Sequence, residues 1–243
     1  MLDVTQHELA LAVGVSRSHI AGIEIGRVNP SIDLVWRIAD RLGIDVAVVA
    51  RPQIVMGRRD GQDLVHARCS GYVEGRLRRL GWMTEREVAL AGDRAYGWID
   101  LLVFEPVSRT LVIIEIKTRL DDIGAVERQV GWYERNATNV VRGLGWQPAR
   151  ILSWLLVLAS DEVERTVGLQ RQVLRRSFPG RASAMRQVIL DPRTGGVRRG
   201  LAMIDPASRR RDWLIPTRSD GRRSAAPYCD YAEAARRLAA SGT

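Results

Sequence analysis

Gly97-Trp98-Ile99-Asp100-Leu101-Leu102-Val103-Phe104 and Thr110-Leu111-Val112-Ile113-Ile114-Glu115-Ile116-Lys117, separated by Glu105-Pro106-Val107-Ser108-Arg109, decide how this chain is read. Both runs are apolar and rich in β-branched residues, and a short polar, proline-containing segment joins them, so they read as a β-hairpin. A turn centred between Val107 and Ser108 sets Asp100 opposite Glu115. Facing residues in such a pair have Cβ atoms about 5 Å apart. Lys117 lies two residues beyond Glu115, on the same face by the strand period. Three charged side chains therefore converge at one end of an otherwise apolar hairpin. Burying such a strand end is costly unless the charges are paired or hold a metal.

Lys117 is also the only lysine in the chain: the other 36 of the 37 basic residues are arginine. An ammonium is a compact point charge whose pKa shifts readily, whereas a guanidinium is planar and stays protonated. A position that keeps lysine amid such a drift to arginine is a candidate for chemistry that needs an ammonium. Two carboxylates this close repel one another, and a divalent cation resolves the repulsion. Oxygen ligands suit Mg²⁺ or Mn²⁺. Asp100 and Glu115 are thus the candidate metal ligands, and Lys117 the candidate group at a nucleophilic water.

Working outward, residues 63–80 read as a helix with Leu64, Ala67, Tyr72, Leu77 and Leu80 inward, and 84–90 alternates like a strand. Residues 121–143 form a long helix. Residues 150–159 are a strand that is apolar apart from Arg150 and Ser153, as in a sheet covered on both faces. Residues 161–176 read as one helix. The signal then weakens: residues 191–223 hold nine arginines and only short apolar runs, and a last amphipathic helix spans about 228–240. Trp213 and Tyr228 are expected in the core rather than as stacking platforms. Upstream, Thr5 and Glu8 form a capping box for a helix over 5–13. Gly14 ends that helix, Ser16 caps a second, and Ser31 caps a third. The third carries apolar Ile32, Val35, Trp36, Ile38, Ala39 and Leu42 at helical spacing. The predicted organisation is residues 1–50, a linker over 51–62, a central domain over 63–190, and an arginine-rich tail with a C-terminal helix over 191–243.

The net charge of +9 and pI of about 10.6 point to an anionic partner, most simply nucleic acid. Residues 1–50 carry four arginines against six carboxylates, a net −2, which leaves +11 for the remainder. Two cysteines are too few for a disulfide framework, and three histidines make a Cys/His metal site improbable. No apolar run approaches the roughly 20 residues of a membrane span, and no signal peptide is evident, so a cytoplasmic protein is expected.

The run Thr5-Gln6-x-Glu8-Leu9-Ala10-x4-Gly14-Val15-Ser16-Arg17-x5-Glu24-x-Gly26-Arg27-x-Asn29-Pro30-Ser31 resembles the lambda-repressor-like (XRE-type) helix-turn-helix domain over residues 4–45. The resemblance implies that the second helix enters the major groove with Ser16, Arg17, Ser18, His19 and Gly22 outward. Arg17 would pair with guanine, and Gln6, Asn29 and Arg27 would contact phosphate. The family's first helix has only four or five residues left for it here. The charge of −2 is also poor for phosphate binding, so a homodimer or the basic remainder is expected to supply affinity.

Gly97-Trp98-Ile99-Asp100 followed by Glu115-Ile116-Lys117 resembles the PD-(D/E)xK nuclease superfamily over roughly residues 61–160. The resemblance adds Glu74 on the preceding helix and Gln129 with Tyr133 on the following one to the candidate catalytic set; Glu87 is a further carboxylate nearby. The expected fold is an all-α helix-turn-helix domain followed by an α/β restriction-endonuclease-like domain. Its sheet is expected to be mixed and four-stranded, flanked by helices. The expected function is a DNA-binding protein with an Mg²⁺- or Mn²⁺-dependent endonuclease-like domain. The alternatives are a non-catalytic XRE-family transcriptional regulator, or a protein-interaction module whose helix-turn-helix pairs with protein.

Overall fold

A computed structural model describes residues 4–44, 46, 60–92, 95–193, 197–222 and 225–240. The chain divides into two compact units, Met1–Met56 and Gly57–Thr243.

Among its described residues the first unit holds three short helices, α1 (Gln6–Ala12), α2 (Arg17–Glu24) and α3 (Ile32–Arg41). Each starts where a side-chain oxygen meets orphan backbone N–H groups. Thr5 and Glu8 form the reciprocal box, Ser16 accepts from the His19 N–H, and Ser31 accepts from the Leu34 N–H. Gly14 turns the chain at φ +69°, a conformation that favours glycine. Leu9, Ala10, Val13, Ile20 and Leu34 make the small core, with Val15, Ile38 and Leu42 packed against it. The inward face of α3 is therefore Leu34, Ile38 and Leu42, with Ala39 beside it. Ile32, Val35 and Trp36, apolar positions of the same helical period, are exposed. Both stripes satisfy helical spacing, and the Arg37 guanidinium donating to the Val13 carbonyl at 2.7 Å belongs to the orientation adopted.

The second unit is a five-stranded mixed sheet in the order β1 (Met83–Gly92), β2 (Ala95–Glu105), β3 (Thr110–Lys117), β4 (Arg150–Leu158), β5 (Arg199–Ile204). The first two pairings are antiparallel and the last two parallel. The expected count of four strands is corrected to five. The added strand comes from the segment 191–243, whose arginines hide the five-residue run of small and apolar residues Gly200–Ile204. Helices α4 (Asp60–Arg78), α8 (Ala182–Leu190) and α9 (Tyr231–Ala240) cover one face. Helix α5 (Ile123–Gly143), with α6 (Asp161–Leu169) and α7 (Arg171–Ser177), covers the other. The single helix expected over 161–176 is two, broken at Gln170. Trp213 and Tyr228 are buried in the core on the α4 side.

Helix α4 faces the sheet through Val65, Cys69, Val73 and Leu77, a four-residue repeat. Leu64, Ala67 and Leu80 are exposed and Tyr72 is half-buried, so of the inward positions expected for this helix only Leu77 is fully buried. Residues 51–59 of the expected linker lie outside the described residues, and α4 has begun by residue 60.

Candidate catalytic site at the strand ends

The hairpin has the register expected of its symmetry. Leu101 pairs with Ile114 and Glu105 with Thr110, and the regular β2–β3 pairing stops at Leu101. On the other side of β2 the ladder runs Arg86↔Leu101 then Val88↔Ile99, skipping the step where Glu87 and Asp100 meet. Glu87 sits there at φ +51°, a left-handed conformation that is strained for a residue with a side chain. The alternation of β2 breaks at this step: Ile99 packs with the α5-side cluster, Leu101 with the α4-side cluster. Asp100 is thus absent from both ladders, and its carboxylate makes the missing contact. Its Oδ2 accepts the Ile116 N–H at 2.7 Å.

Three further groups meet there. The Lys117 Nζ lies 2.6 Å from Glu115 Oε1, so the lysine and the glutamate share a face as the strand period requires. Glu115 is 2% exposed, and its other oxygen, Oε2, is buried with no hydrogen-bond partner. Burial pushes the Glu115 carboxyl up to about 7, with the neighbouring Asp100 charge adding to the shift and Lys117 opposing it. His66, from α4, places Nε2 3.3 Å from Asp100 Oδ2. That hydrogen bond raises the imidazole above its ordinary range.

Helix α5 closes the site from the other side. Tyr133 donates its hydroxyl to the Trp98 carbonyl and accepts from Gln129 Nε2. Gln129 therefore acts through Tyr133 on the segment of β2 just before Asp100. Helix and strand come close because position 97 is glycine: a Cβ there would stand 2.9 Å from Trp132 Cζ3.

Asp100, Glu115 and Lys117 are brought together, and Gln129 and Tyr133 adjoin them. Glu74 is not brought in. It lies 3.4 Å from Arg78, 3.8 Å from Arg86 and 3.2 Å from the Thr84 hydroxyl. The side chain that α4 contributes is His66, eight residues earlier. Sequence reasoning missed it because an isolated histidine has no local signature. Glu87 bears on the site through its backbone conformation, and its side chain is exposed.

The donor set fits a hard divalent cation. Two neighbouring carboxylates repel, and one oxygen is buried with nothing to bond. Among the described residues no group of three or more His, Cys, Asp or Glu side chains is arranged to hold a metal. Asp100 and Glu115 are the two side chains that could offer oxygens to such an ion, and Mg²⁺ usually keeps several waters and takes one or two carboxylates.

In the N-terminal unit, Arg17, Ser18, Arg27 and Asn29 are exposed and His19 is half-buried. Ser16 caps α2, its hydroxyl also 3.0 Å from that of Ser18. Gln6 Nε2 donates to Glu24 Oε2 at 2.6 Å. Gly22, expected outward, faces the following turn: a Cβ there would meet Val28 Cγ2 at 2.8 Å, and its carbonyl accepts from the Arg27 and Val28 N–H groups.

Residues 1–49 match the helix-turn-helix family HTH_3, and the N-terminal unit is an XRE-type helix-turn-helix domain. A stretch of 42 residues is 52% identical to an uncharacterized HTH-type transcriptional regulator of Methanothermobacter thermautotrophicus. It covers 17% of this chain and 61% of that protein. No helix among the described residues is long and apolar enough to cross a membrane.

Proposed function

We propose that this chain is a DNA-binding protein whose helix-turn-helix unit docks on duplex DNA and whose α/β unit hydrolyses a phosphodiester bond with a divalent cation. The observation that carries the reading is Glu115: a carboxylate 2% exposed, with one oxygen on Lys117 and the other unpartnered, beside a second carboxylate. A strand end built this way is unfavourable as a purely structural device, because an unpaired buried carboxylate oxygen costs free energy.

Asp100 and Glu115 would hold the cation, and Lys117, beside Glu115, would orient the attacking water and stabilise negative charge as it develops on the phosphate. When bound, Mg²⁺ or Mn²⁺ acts as a Lewis acid on the phosphate and lowers the pKa of water. His66 and the Ile116 N–H fix the Asp100 carboxylate. Gln129 and Tyr133 hold the strand before Asp100. The helix-turn-helix would place Arg17, Ser18 and His19 at the major groove and Gln6, Arg27 and Asn29 near phosphates. A Gln6 that stays bonded to Glu24 would reach phosphate less well than the resemblance implies.

The test is incubation of supercoiled plasmid, branched and single-stranded DNA with Mg²⁺ or Mn²⁺. Wild type is expected to nick or cut at least one of them, and Asp100→Ala to lose at least a hundredfold in rate. Equal products from both proteins, or none from wild type on any substrate, would remove the nuclease reading. Sequence-specific binding unaffected by Asp100→Ala, without cleavage, is the outcome for a non-catalytic transcriptional regulator.

A further inference from the structure

The flank of α4 beside its buried stripe carries charge that the strand-end site does not use. Arg68, Tyr72 and Arg76 follow one another at four-residue steps, and Arg79 comes one turn later. They face the loop after β5, and between helix and loop lies a cavity of about 650 Å³. Four arginines line it, Arg68, Arg76, Arg79 and Arg209, and no carboxylate does. A second cavity of about 470 Å³ shares Arg76 and Arg79 and continues to Arg186 and Arg211. Its one carboxylate, Asp212, is occupied by Arg186 at 2.9 Å.

The first cavity is organised rather than a loose surface. Arg76 donates to the Ser208 carbonyl at 2.9 Å and to the Tyr72 hydroxyl at 3.1 Å. Its guanidinium lies 5.1 Å from the centre of the Tyr72 ring. These contacts tie the loop to the helix and hold one cation in place. Among the described residues no carboxylate ion-pairs with Arg68, Arg76, Arg79 or Arg209. The carboxylate nearest the loop, Asp205, accepts the Tyr228 hydroxyl at 2.7 Å. Guanidiniums gathered without an ion-paired carboxylate repel one another, and a planar fork of N–H donors is matched by phosphate.

We infer that this arginine-lined groove binds the phosphodiester backbone of DNA, as a second contact surface apart from the helix-turn-helix. Two observations favour a polymer over a single small anion. From Arg68 to Arg76 the helix rises about 12 Å, and the groove continues past Arg79. One DNA strand presents a phosphate every ~3.4 Å of axis, so several fit along it. The helix-turn-helix segment, residues 1–50, has a net charge of −2, so the basic charge lies in the remainder of the chain. The inference takes from the proposed function only that DNA is the partner, and it does not require cleavage.

The experiment measures affinity of the full chain for a mixed-sequence fluorescent duplex against salt concentration, without divalent metal. Arg68→Gln/Arg79→Gln/Arg209→Gln is compared with wild type and with the corresponding triple lysine variant. Each phosphate contact contributes about 0.9 to the slope of log K against log salt. The glutamine variant is expected to flatten that slope by about 2 to 3 and to weaken binding at ~0.1 M salt by about tenfold or more. The lysine variant keeps the slope, which separates lost charge from misfolding. An unchanged slope in the glutamine variant overturns the inference. So does loss of inorganic triphosphate binding with DNA affinity intact, which would make the groove a small-anion site. Failure of the nuclease reading shows differently, as absent cleavage with these binding differences preserved.

Discussion

At the scale of single residues, the site is a balance between burial and charge. Glu115 is pushed up to about 7 from an ordinary 4.5, so the folded chain holds this proton more tightly than the unfolded one. The stability it contributes is full below 4.5 and is lost as pH rises through about 7. His66, raised above 6.5 by its hydrogen bond to Asp100, acts in the same direction: its contribution is full below 6.5 and is lost as pH rises through its folded value. Metal-free protein is therefore expected to lose thermal stability as pH rises from about 4.5 through about 7, with the His66 contribution lost above 6.5. Glu115→Gln should flatten much of that slope, and a melting temperature of wild type independent of pH there would refute the assignment. Mn²⁺ affinity, measured by calorimetry, should rise over the same window because the cation takes the ionised carboxylate. Tyr133→Phe removes the hydroxyl's hydrogen bond to the Trp98 carbonyl and should cost about 1 kcal/mol in denaturant unfolding. Lys117 and Glu115 were legible in the sequence because the strand period puts them on one face, and hairpin symmetry brings Asp100 to the same strand end although the regular pairing stops at Leu101. His66 was not, since its partner is 34 residues away on another element.

At the scale of elements, local chemistry sets the boundaries and packing sets the faces. The caps at Thr5, Ser16 and Ser31 are readable because a cap depends on three or four consecutive residues. Thr5→Ala should destabilise the N-terminal unit by about 1 kcal/mol, read from helix loss on mild heating. Faces are harder: α3 and α4 each carry two apolar stripes, and which one turns inward depends on the partner surface. Helix α5 approaches β2 through Gly97, where a Cβ would stand 2.9 Å from Trp132. Gly97→Ala should therefore cost about 1–3 kcal/mol and displace the strand that leads into Asp100, lowering any cleavage rate as well. A variant with unchanged stability and activity would show that the close approach has no role.

At the scale of the molecule, the segment after residue 190 completes the sheet. Strand β5 runs parallel to β4, and Tyr228, Tyr231, Ala234 and Leu238 join the core on the α4 side. A chain truncated after residue 190 is expected to lose cooperative unfolding, since one edge of β4 and much of that core become exposed. Native-like melting of the truncated protein would make the segment a dispensable tail. This part was illegible in the sequence because Arg199–Ile204 is short, begins with Arg-Gly, and finds its partner more than forty residues upstream. Arginines 198 and 199 mask it further, yet they serve the fold: both bond the Glu134 carboxylate.

The account rests on Lys117, the single lysine among the 37 Lys and Arg residues. The most direct measurement is the single-turnover rate of DNA cleavage in Mg²⁺ for wild type and Lys117→Arg, on whichever substrate wild type cuts. A guanidinium keeps the charge but not the compact ammonium beside Glu115, so the account predicts a loss of at least a hundredfold with Mn²⁺ binding retained. Equal rates in the two proteins would contradict it.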